Sequence, residues 1–393
     1  MHIGLSTSVI QRGQTGIAQY LFGLVRALIE HGQHEYTLFV LEEDLELFRF
    51  AKGKANLTPV AERFRSALKD IAWHQAVLPG LATRLGLDVL HVPSYRRMLW
   101  PRPCPLVATI HDLAQFHLPG KYSWPRMLYG RVIVPPLARR QDQIVAISEN
   151  TARDVTRFFK VPSERLTVIY NGVDHGRFFP GDSAEAKALC AGRFGLEQPF
   201  FLYVARLEHP AKNHIRLIAA FNRFKAATGS AWQLVLAGRD WHGALHIHAA
   251  IQESPFQRDI RCLGFVPDAF VPDLYRAADV FVYPSLFEGF GMPPTEAMAC
   301  GCPVLSSARG ALGEVLGNAA ARVDPEDVNA LTAHLCVLSA DREVRQQMRA
   351  AGLAQARRFD WAGAALAMER VYERAAETAK ATETIAPPAL RGL

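Results

Sequence analysis

ADVFVYPSLFEGFGMPPTEAMACGCPVLS, residues 278–306, holds a complete strand–loop–helix–strand unit. The apolar run Val280–Tyr283 reads as a strand that ends at Tyr283-Pro284-Ser285, and Pro303–Ser306 reads as the next. Between them lies a glycine-bearing loop with Glu288, Gly289, Phe290 and Gly291. A helix is predicted to start near Pro294, because proline is tolerated in a first turn, and Glu296 is expected in that first turn. Glycines allow close backbone approach, and a helix start presents free N–H groups, so the segment suits an anion such as a diphosphate. Glu288 and Glu296 are then acceptors for sugar or ribose hydroxyls. The alternative is that Glu296 only complements the helix dipole and Glu288 is solvated.

The same alternation extends in both directions. Upstream, strands are predicted at Ile3–Ser6, Thr37–Leu41, Val89–Val92, Leu106–Ile110, Gln143–Ile147 and Leu166–Ile169. Ile17, Leu21, Leu24, Val25 and Leu28 mark an apolar helical stripe between the first two. The pattern restarts after the turn-rich 171–174 and 180–183, with strands at Phe200–Val204, Gln233–Ala237, Ile260–Cys262, Val280–Tyr283, Pro303–Ser306 and Ala321–Val323. Alternating strands and helices mean parallel sheets covered by helices. The fold class is α/β, with two domains divided at 1–175 and 176–365, a C-terminal helix and tail over 366–393, and fraying expected after Pro387.

The chain has 393 residues, 49% hydrophobic and 21% charged, which fits a globular enzyme and excludes a disordered chain. Its net charge of +6 points to an anionic partner. Eight Lys or Arg (Arg96, Arg97, Arg102, Lys121, Arg126, Arg131, Arg139 and Arg140) stand against one acid, Asp112, with Tyr95, Trp100, Tyr122, Trp124 and Tyr129 among them. This is either a surface that docks on anionic lipid headgroups or a solvated basic face. Six cysteines without a C-x-x-C pair read as buried free thiols in a reducing compartment. There is no basic segment followed by a long apolar run at the start, and no apolar run long enough to span a bilayer. The expectation is a cytoplasmic protein, peripheral at the inner face of the membrane.

The Glu288–Glu296 segment resembles the E-x7-E signature of retaining GT-B glycosyltransferases of family 4, and FEGFGMPPTEAMACGCPV is close to that family's wording. The resemblance implies two Rossmann-like domains facing each other across a cleft, with the nucleotide-sugar donor between them. It implies that Glu288 faces the sugar hydroxyls, that Glu296 binds the ribose, and that the amides of Phe290, Gly291 and Met292 face sugar and phosphate. Val204–Asn213 is similar to a second family segment, which implies that Arg206 and Lys212 grip the pyrophosphate. Fixed cations there stabilise the charge of a departing nucleoside diphosphate. Arg12-Gly13-Gln14-Thr15-Gly16 resembles the N-terminal glycine loop, so Gly13 and Gly16 are expected near the donor phosphate; by itself the stretch is also an ordinary turn. His111, after a predicted strand, is placed near the donor sugar and Asp112 near the acceptor, although a His at a strand end is often simply hydrogen-bonded. Gly264-Phe265-Val266-Pro267 resembles the loop that meets the nucleotide base, placing Val266 there. Phe359-Asp360-Trp361 and the helix after it resemble the segment that packs back on the first domain.

Other chemistries find little support. No two aspartates are separated by one residue, so the metal-binding D-x-D element is absent, and cationic side chains rather than a metal are expected at the diphosphate. His242, His246 and His248 share helical spacing but lack the further ligands of a metal site. There is no G-x-S-x-G elbow or Walker A segment. The expected activity is transfer of a hexose, mannose favoured, from a nucleotide-sugar to a glycan or lipid-linked acceptor in bacterial surface polysaccharide synthesis. No cofactor and no nucleic-acid partner are expected. The alternatives are another GT-B reaction, such as a phosphorylase or nucleotide-sugar epimerase, and a non-catalytic polyanion-binding protein.

Overall fold

A computed structural model describes residues 1–118 and 123–385, with side chains through Thr378. Lys121, Tyr122 and the tail after Pro387 lie outside the described residues. The chain forms two compact units. Of the described residues, 1–116, 123–172 and 361–385 make the first, and 117–118 and 173–360 the second.

The first unit is built on a parallel sheet of seven strands: β1 (His2–Ser6), β2 (Glu35–Leu41), β3 (Asn56–Val60), β4 (Val89–Val92), β5 (Leu106–Ile110), β6 (Gln143–Ala146) and β7 (Leu166–Val168). Their order is β3-β2-β1-β4-β5-β6-β7, so the direction of winding reverses between β1 and β4. Strands β4 and β5 are buried along their whole length, as expected for a sheet covered on both faces. The helix Gly16–His31 is capped by Thr15, whose side chain accepts from Ala18 N, and it turns Leu21, Leu24, Val25 and Leu28 inward. The stripe read from the sequence is therefore on the buried face of this helix, except that Ile17 is half-buried.

The edge strand β3 was not expected. Its sequence Asn56-Leu57-Thr58-Pro59-Val60 carries a proline, which demotes a strand pattern because it cannot donate to a ladder. Among the described residues β3 is the edge of the sheet, which is where a strand tolerates proline.

The second unit repeats the plan with β8 (Phe200–Val204), β9 (Gln233–Ala237), β10 (Ile260–Gly264), β11 (Val280–Tyr283), β12 (Val304–Ser307) and β13 (Ala321–Val323). All pairs are parallel, the order is β10-β9-β8-β11-β12-β13, and the winding reverses between β8 and β11. Cys190, Cys300 and Cys302 are buried; Cys262, on the edge strand β10, is exposed, contrary to the expectation of buried thiols.

Apart from the short segment at 117–118, the chain enters and leaves the second unit at one place. Val173 N donates to Phe359 O at 3.1 Å, and Val173 bridges Asp360. The helix Trp361–Ile385 then belongs to the first unit, so the return comes earlier than the expected boundary at 365/366. Gly23 receives Trp361: a Cβ on Gly23 would stand 2.1 Å from the indole. Further along, Glu369 Oε1 accepts from Gln33 N at 2.7 Å and from Tyr36 OH at 2.8 Å.

Candidate functional site

Ligands of open parallel sheets bind outside the carboxyl ends of the strands, where the winding reverses. In the second unit this is the gap between β8 and β11, and the loops leaving those strands carry Arg206, Lys212 and Glu288. The two loops are tied together. Leu286 N donates to Ala211 O at 3.0 Å, and the Asn213 side-chain amide donates to Pro284 O at 3.1 Å and Pro325 O at 2.6 Å.

Glu288 is bonded through its carboxylate. Its Oε1 accepts from Lys212 Nζ at 2.5 Å, from Ser285 Oγ at 2.6 Å and from Tyr283 OH at 3.1 Å. Both members of the Lys212–Glu288 pair keep 16% of their side chain exposed, so the pair is open on one side. Burial works against charge on Lys212, but Glu288 and the Tyr203 phenol outweigh it and hold the ammonium above its ordinary range. Sequence reasoning paired Lys212 with a phosphate and missed its partnership with Glu288. It also missed Tyr283 and Ser285, although their place at the end of β11 was a visible signal.

The helix Met292–Ala299 starts two residues before the predicted position, which puts Glu296 in its second turn. Complementing the dipole is a first-turn effect, so that alternative falls away. Pro293 and Pro294 also lack N–H groups, which leaves this helix start poorer in donors than its position suggests. Tyr275 OH donates to Glu296 Oε2 at 3.1 Å. Burial pushes the Glu296 carboxyl up to about 7, against the pull of Arg177 and of the Tyr275 bond. Gly291, at φ +103°, is required: a Cβ would meet Leu312 Cδ2 at 2.6 Å. Phe290 is buried, with its ring edge-on to Phe359 at 5.4 Å, and Met292 is half-buried.

Arg206 Nη2 donates to Glu208 Oε2 at 3.0 Å, and the guanidinium lies 4.7 Å from the centre of the Trp241 ring. Val266 is buried in the loop after the edge strand β10, next to the exposed Phe265. His242, His246 and His248 do not converge: His248 Nε2 bonds Asp240 Oδ1 at 2.9 Å, while the His246 ring stacks on His209. Among the described residues, no three His, Cys, Asp or Glu side chains form a ligand set.

In the first unit, the residues around the reversal at β1 and β4 are Gly13, Gly16 and His111. Gln11, Arg12 and Gly13 stand at φ +47°, +59° and +78°, three left-handed residues in a row. Such a run stores strain in the two non-glycine residues and turns the chain sharply into the helix at Gly16. A Cβ on Gly16 would meet nothing within 4 Å, so packing inside this unit does not demand glycine there.

His111 follows β5 and is anchored rather than free. Its Nε2 is 3.1 Å from Pro93 O, and its ring lies edge-on to Tyr20 at 4.7 Å. Burial pushes its pKa down to about 4, opposed by the Pro93 carbonyl and Asp112, so the ring is neutral at physiological pH. Asp112 Oδ1 accepts from Ala114 N at 2.9 Å. Beneath them runs a buried chain: Tyr372 OH bonds His91 Nδ1 at 2.9 Å, His91 Nε2 bonds Thr109 Oγ1 at 2.8 Å, and Thr109 Oγ1 bonds Tyr20 OH at 3.1 Å. A cavity of about 860 Å³ lies at the opposite, amino ends of β2 and β3, lined by Glu35, Arg49, Lys52 and Lys54, away from all of these residues.

The family model for glycosyltransferase family 4 matches residues 14–177, and that for glycosyl transferases group 1 matches residues 191–355. O-antigen chain mannosyltransferase B of Escherichia coli is 33% identical over 65% of this chain and 66% of its own length. The serotype-specific mannosyltransferase WbdA of Escherichia coli is 32% identical over 61% of this chain but only 30% of its own. The matches thus span less than two thirds of these relatives. Among solved structures, sucrose-phosphate synthase of Thermosynechococcus elongatus superposes with a TM-score of 0.77, at 20% identity, over 95% of this chain and 98% of its own. Anabaena HepE, in complex with UDP and glucose, does so with a TM-score of 0.75 at 18% identity, over 95% and 99%. Both show the fold alone. With two parallel α/β units, each matched by its own model, the chain belongs to the GT-B glycosyltransferases of family 4.

Proposed function

We propose that this protein transfers a hexose, mannose favoured, from a nucleotide-sugar to a glycan or lipid-linked glycan acceptor in bacterial surface polysaccharide synthesis, with retention at the anomeric carbon. The observation that carries the proposal is the Glu288 carboxylate, fixed by Lys212, Ser285 and Tyr283 at the β8/β11 reversal. A carboxylate so held is pre-set to accept from sugar hydroxyls, and the adjoining cations suit a diphosphate. Mannose is favoured by the names of the relatives, several of which are O-antigen mannosyltransferases.

In the proposed chemistry, the acceptor hydroxyl oxygen bonds to the anomeric carbon on the face from which the diphosphate departs. The bond from that carbon to the phosphate oxygen breaks, and the hydroxyl proton passes to the departing phosphate. Glu288 orients the sugar, Glu296 takes the ribose, and Arg206 and Lys212 compensate the leaving charge without a metal. Gly13, Gly16 and the neutral His111 are assigned to the sugar and phosphate, Val266 to the base, and Asp112 to the acceptor.

The test is nucleotide release from GDP-mannose and UDP-glucose, with and without an oligosaccharide or lipid-linked glycan acceptor, in EDTA and in magnesium. Acceptor-dependent release of one nucleotide in EDTA is expected. If neither nucleotide-sugar is turned over and neither raises the melting temperature, the proposal fails.

We also propose peripheral contact with anionic membrane through the first unit. The continuous helical stretch 124–140 exposes Trp124, Leu128 and Val132 at every fourth position, with Ile133 beside them. Arg126, Arg131, Arg139 and Arg140 lie on the same stretch, and the exposed Trp100 lies 4.3 Å from the Arg140 guanidinium. Among the described residues, no helix is long and apolar enough to cross a membrane. An apolar stripe flanked by arginines instead suits insertion at the headgroup level of an anionic leaflet. Sedimentation with anionic but not neutral phospholipid vesicles is expected, and its loss in Trp124→Ser/Leu128→Ser; equal binding to both vesicle types would exclude it.

A further inference from the structure

Strand β9 lies between β8 and β10 in the second sheet. Any ligand that reaches from the cations after β8 to the loop after β10 must cross the carboxyl end of β9. The residues there are Gly238, Arg239, Asp240 and Trp241.

Their placement is tightly determined. The ladder between β8 and β9 continues past the strand ends: Ala205 N donates to Ala237 O at 3.0 Å, Leu207 N to Arg239 O at 3.0 Å, and Trp241 N to Leu207 O at 3.1 Å. Gly238 lets the two loops touch, since a Cβ there would stand 1.9 Å from Ala205 O. This register brings the Arg206 guanidinium to 4.7 Å and the Arg239 guanidinium to 5.1 Å from the centre of one indole, that of Trp241. Trp241 is 41% exposed, so this is a surface arrangement and not core packing.

Two guanidiniums gathered on one ring repel each other. Glu208 offsets part of the charge through its bond to Arg206. The ring face attracts each cation by its quadrupole and so gathers two positive charges at one exposed surface. A diphosphate has oxygens enough to bridge two such guanidiniums and would relieve their repulsion.

We propose that Arg239 is a further diphosphate-binding residue, and that Trp241 is a positioning residue that holds Arg206 and Arg239 as a two-cation clamp. This rests on the proposed sugar-donor site, and it adds to that site two residues outside the family-like segments.

The experiment is calorimetric titration of the full chain with guanosine and uridine diphosphates and the corresponding monophosphates, at low and high salt. Arg239→Gln should weaken binding of the preferred diphosphate by roughly tenfold, as for the loss of one charged hydrogen-bonding partner. It should affect the monophosphate less and flatten the salt dependence. Trp241→Ala should show the same selective loss, and Trp241→Phe should restore most of it, because any aromatic face can seat the guanidiniums. Arg239→Gln alters only a loop side chain and reports on the clamp even if Trp241→Ala proves unstable. Wild-type affinity in Arg239→Gln, or an equal loss for mono- and diphosphate, overturns the clamp while leaving the donor site standing. A wild-type protein that binds neither diphosphate overturns both.

Discussion

Lys212 Nζ lies 2.5 Å from Glu288 Oε1, joining the loop after β8 to the loop after β11 across the reversal of the second sheet. The side chains come from separate segments of the chain, and neither can be changed without leaving the other's charge without its partner. Removing one member of such a pair costs more than the pair contributes, because the remaining charge stays desolvated. Glu288→Gln and Lys212→Met are each expected to lower sugar transfer by about 100-fold or more, the scale seen when one pre-set electrostatic group is lost. The double variant should be far less than additive in both activity and stability. Additive losses in a double-mutant cycle would show that the two act independently.

Glu296 gives a pH signature. Its carboxyl is raised to about 7 by burial, against an ordinary value of 4.5. A carboxyl raised on folding favours the folded state below its unfolded pKa, and that contribution disappears as pH rises through the folded value. Between about pH 4.5 and 7 the ligand-free protein therefore loses stability from this group. Glu296→Gln removes the ionisation and should melt higher than wild type at pH 8, by on the order of 1–3 kcal/mol in stability, with little difference at pH 5. An identical difference at both pH values would rule out ionisation of Glu296 as its cause.

His91 and His111 work in the opposite direction. Burial pushes them down to about 3 and about 4, so the folded chain stays unprotonated where the unfolded chain has already taken up protons. Stability should fall as pH drops from about 6.5 to about 4, with a slope of about 1.4 kcal/mol per pH unit for each histidine in that window. His91→Gln should flatten the acid limb measured by urea unfolding. An unchanged limb would assign the acid sensitivity elsewhere.

Gly238 has no room for a side chain, because a Cβ would stand 1.9 Å from the Ala205 carbonyl. Gly238→Ala must push apart the loops that carry Arg206 and Trp241. It is expected to destabilise the second unit by about 1–3 kcal/mol, as overpacking does. It should also weaken nucleoside diphosphate binding more than the melting temperature alone would suggest. Gly16→Ala is the contrasting case, since a Cβ there meets nothing within 4 Å. It should melt within about 1 °C of wild type, given the small effect of surface substitutions.

Much of the architecture was legible because parallel strands buried on both faces read as short apolar runs. Val89–Val92, Leu106–Ile110 and Val280–Tyr283 have the expected bounds for this reason. The half-exposed β3, with Pro59 in it, gave no such signal. Glu288, Lys212 and Arg206 stand out as candidates from local wording. The partners that fix them were not, because Tyr275 reaches Glu296, and Trp241 reaches Arg206, from segments that only the folded sheet brings near. The start of the helix at Met292 was misplaced because two prolines can be housed at its second and third positions as well as at its first.

The helix that begins at Trp361 completes a unit whose other strands and helices lie before residue 173. During synthesis, residues 173–360 must leave the ribosome first, which at about 5–20 residues per second takes on the order of 10–40 s. Through that interval Gly23 and Tyr36 have no Trp361 or Glu369 to meet, and the seven-stranded half lacks the helix that packs against the helix Gly16–His31 and strands β4 to β6. The second unit, continuous apart from one short segment and made later, is in a position to finish folding before the one that was begun first.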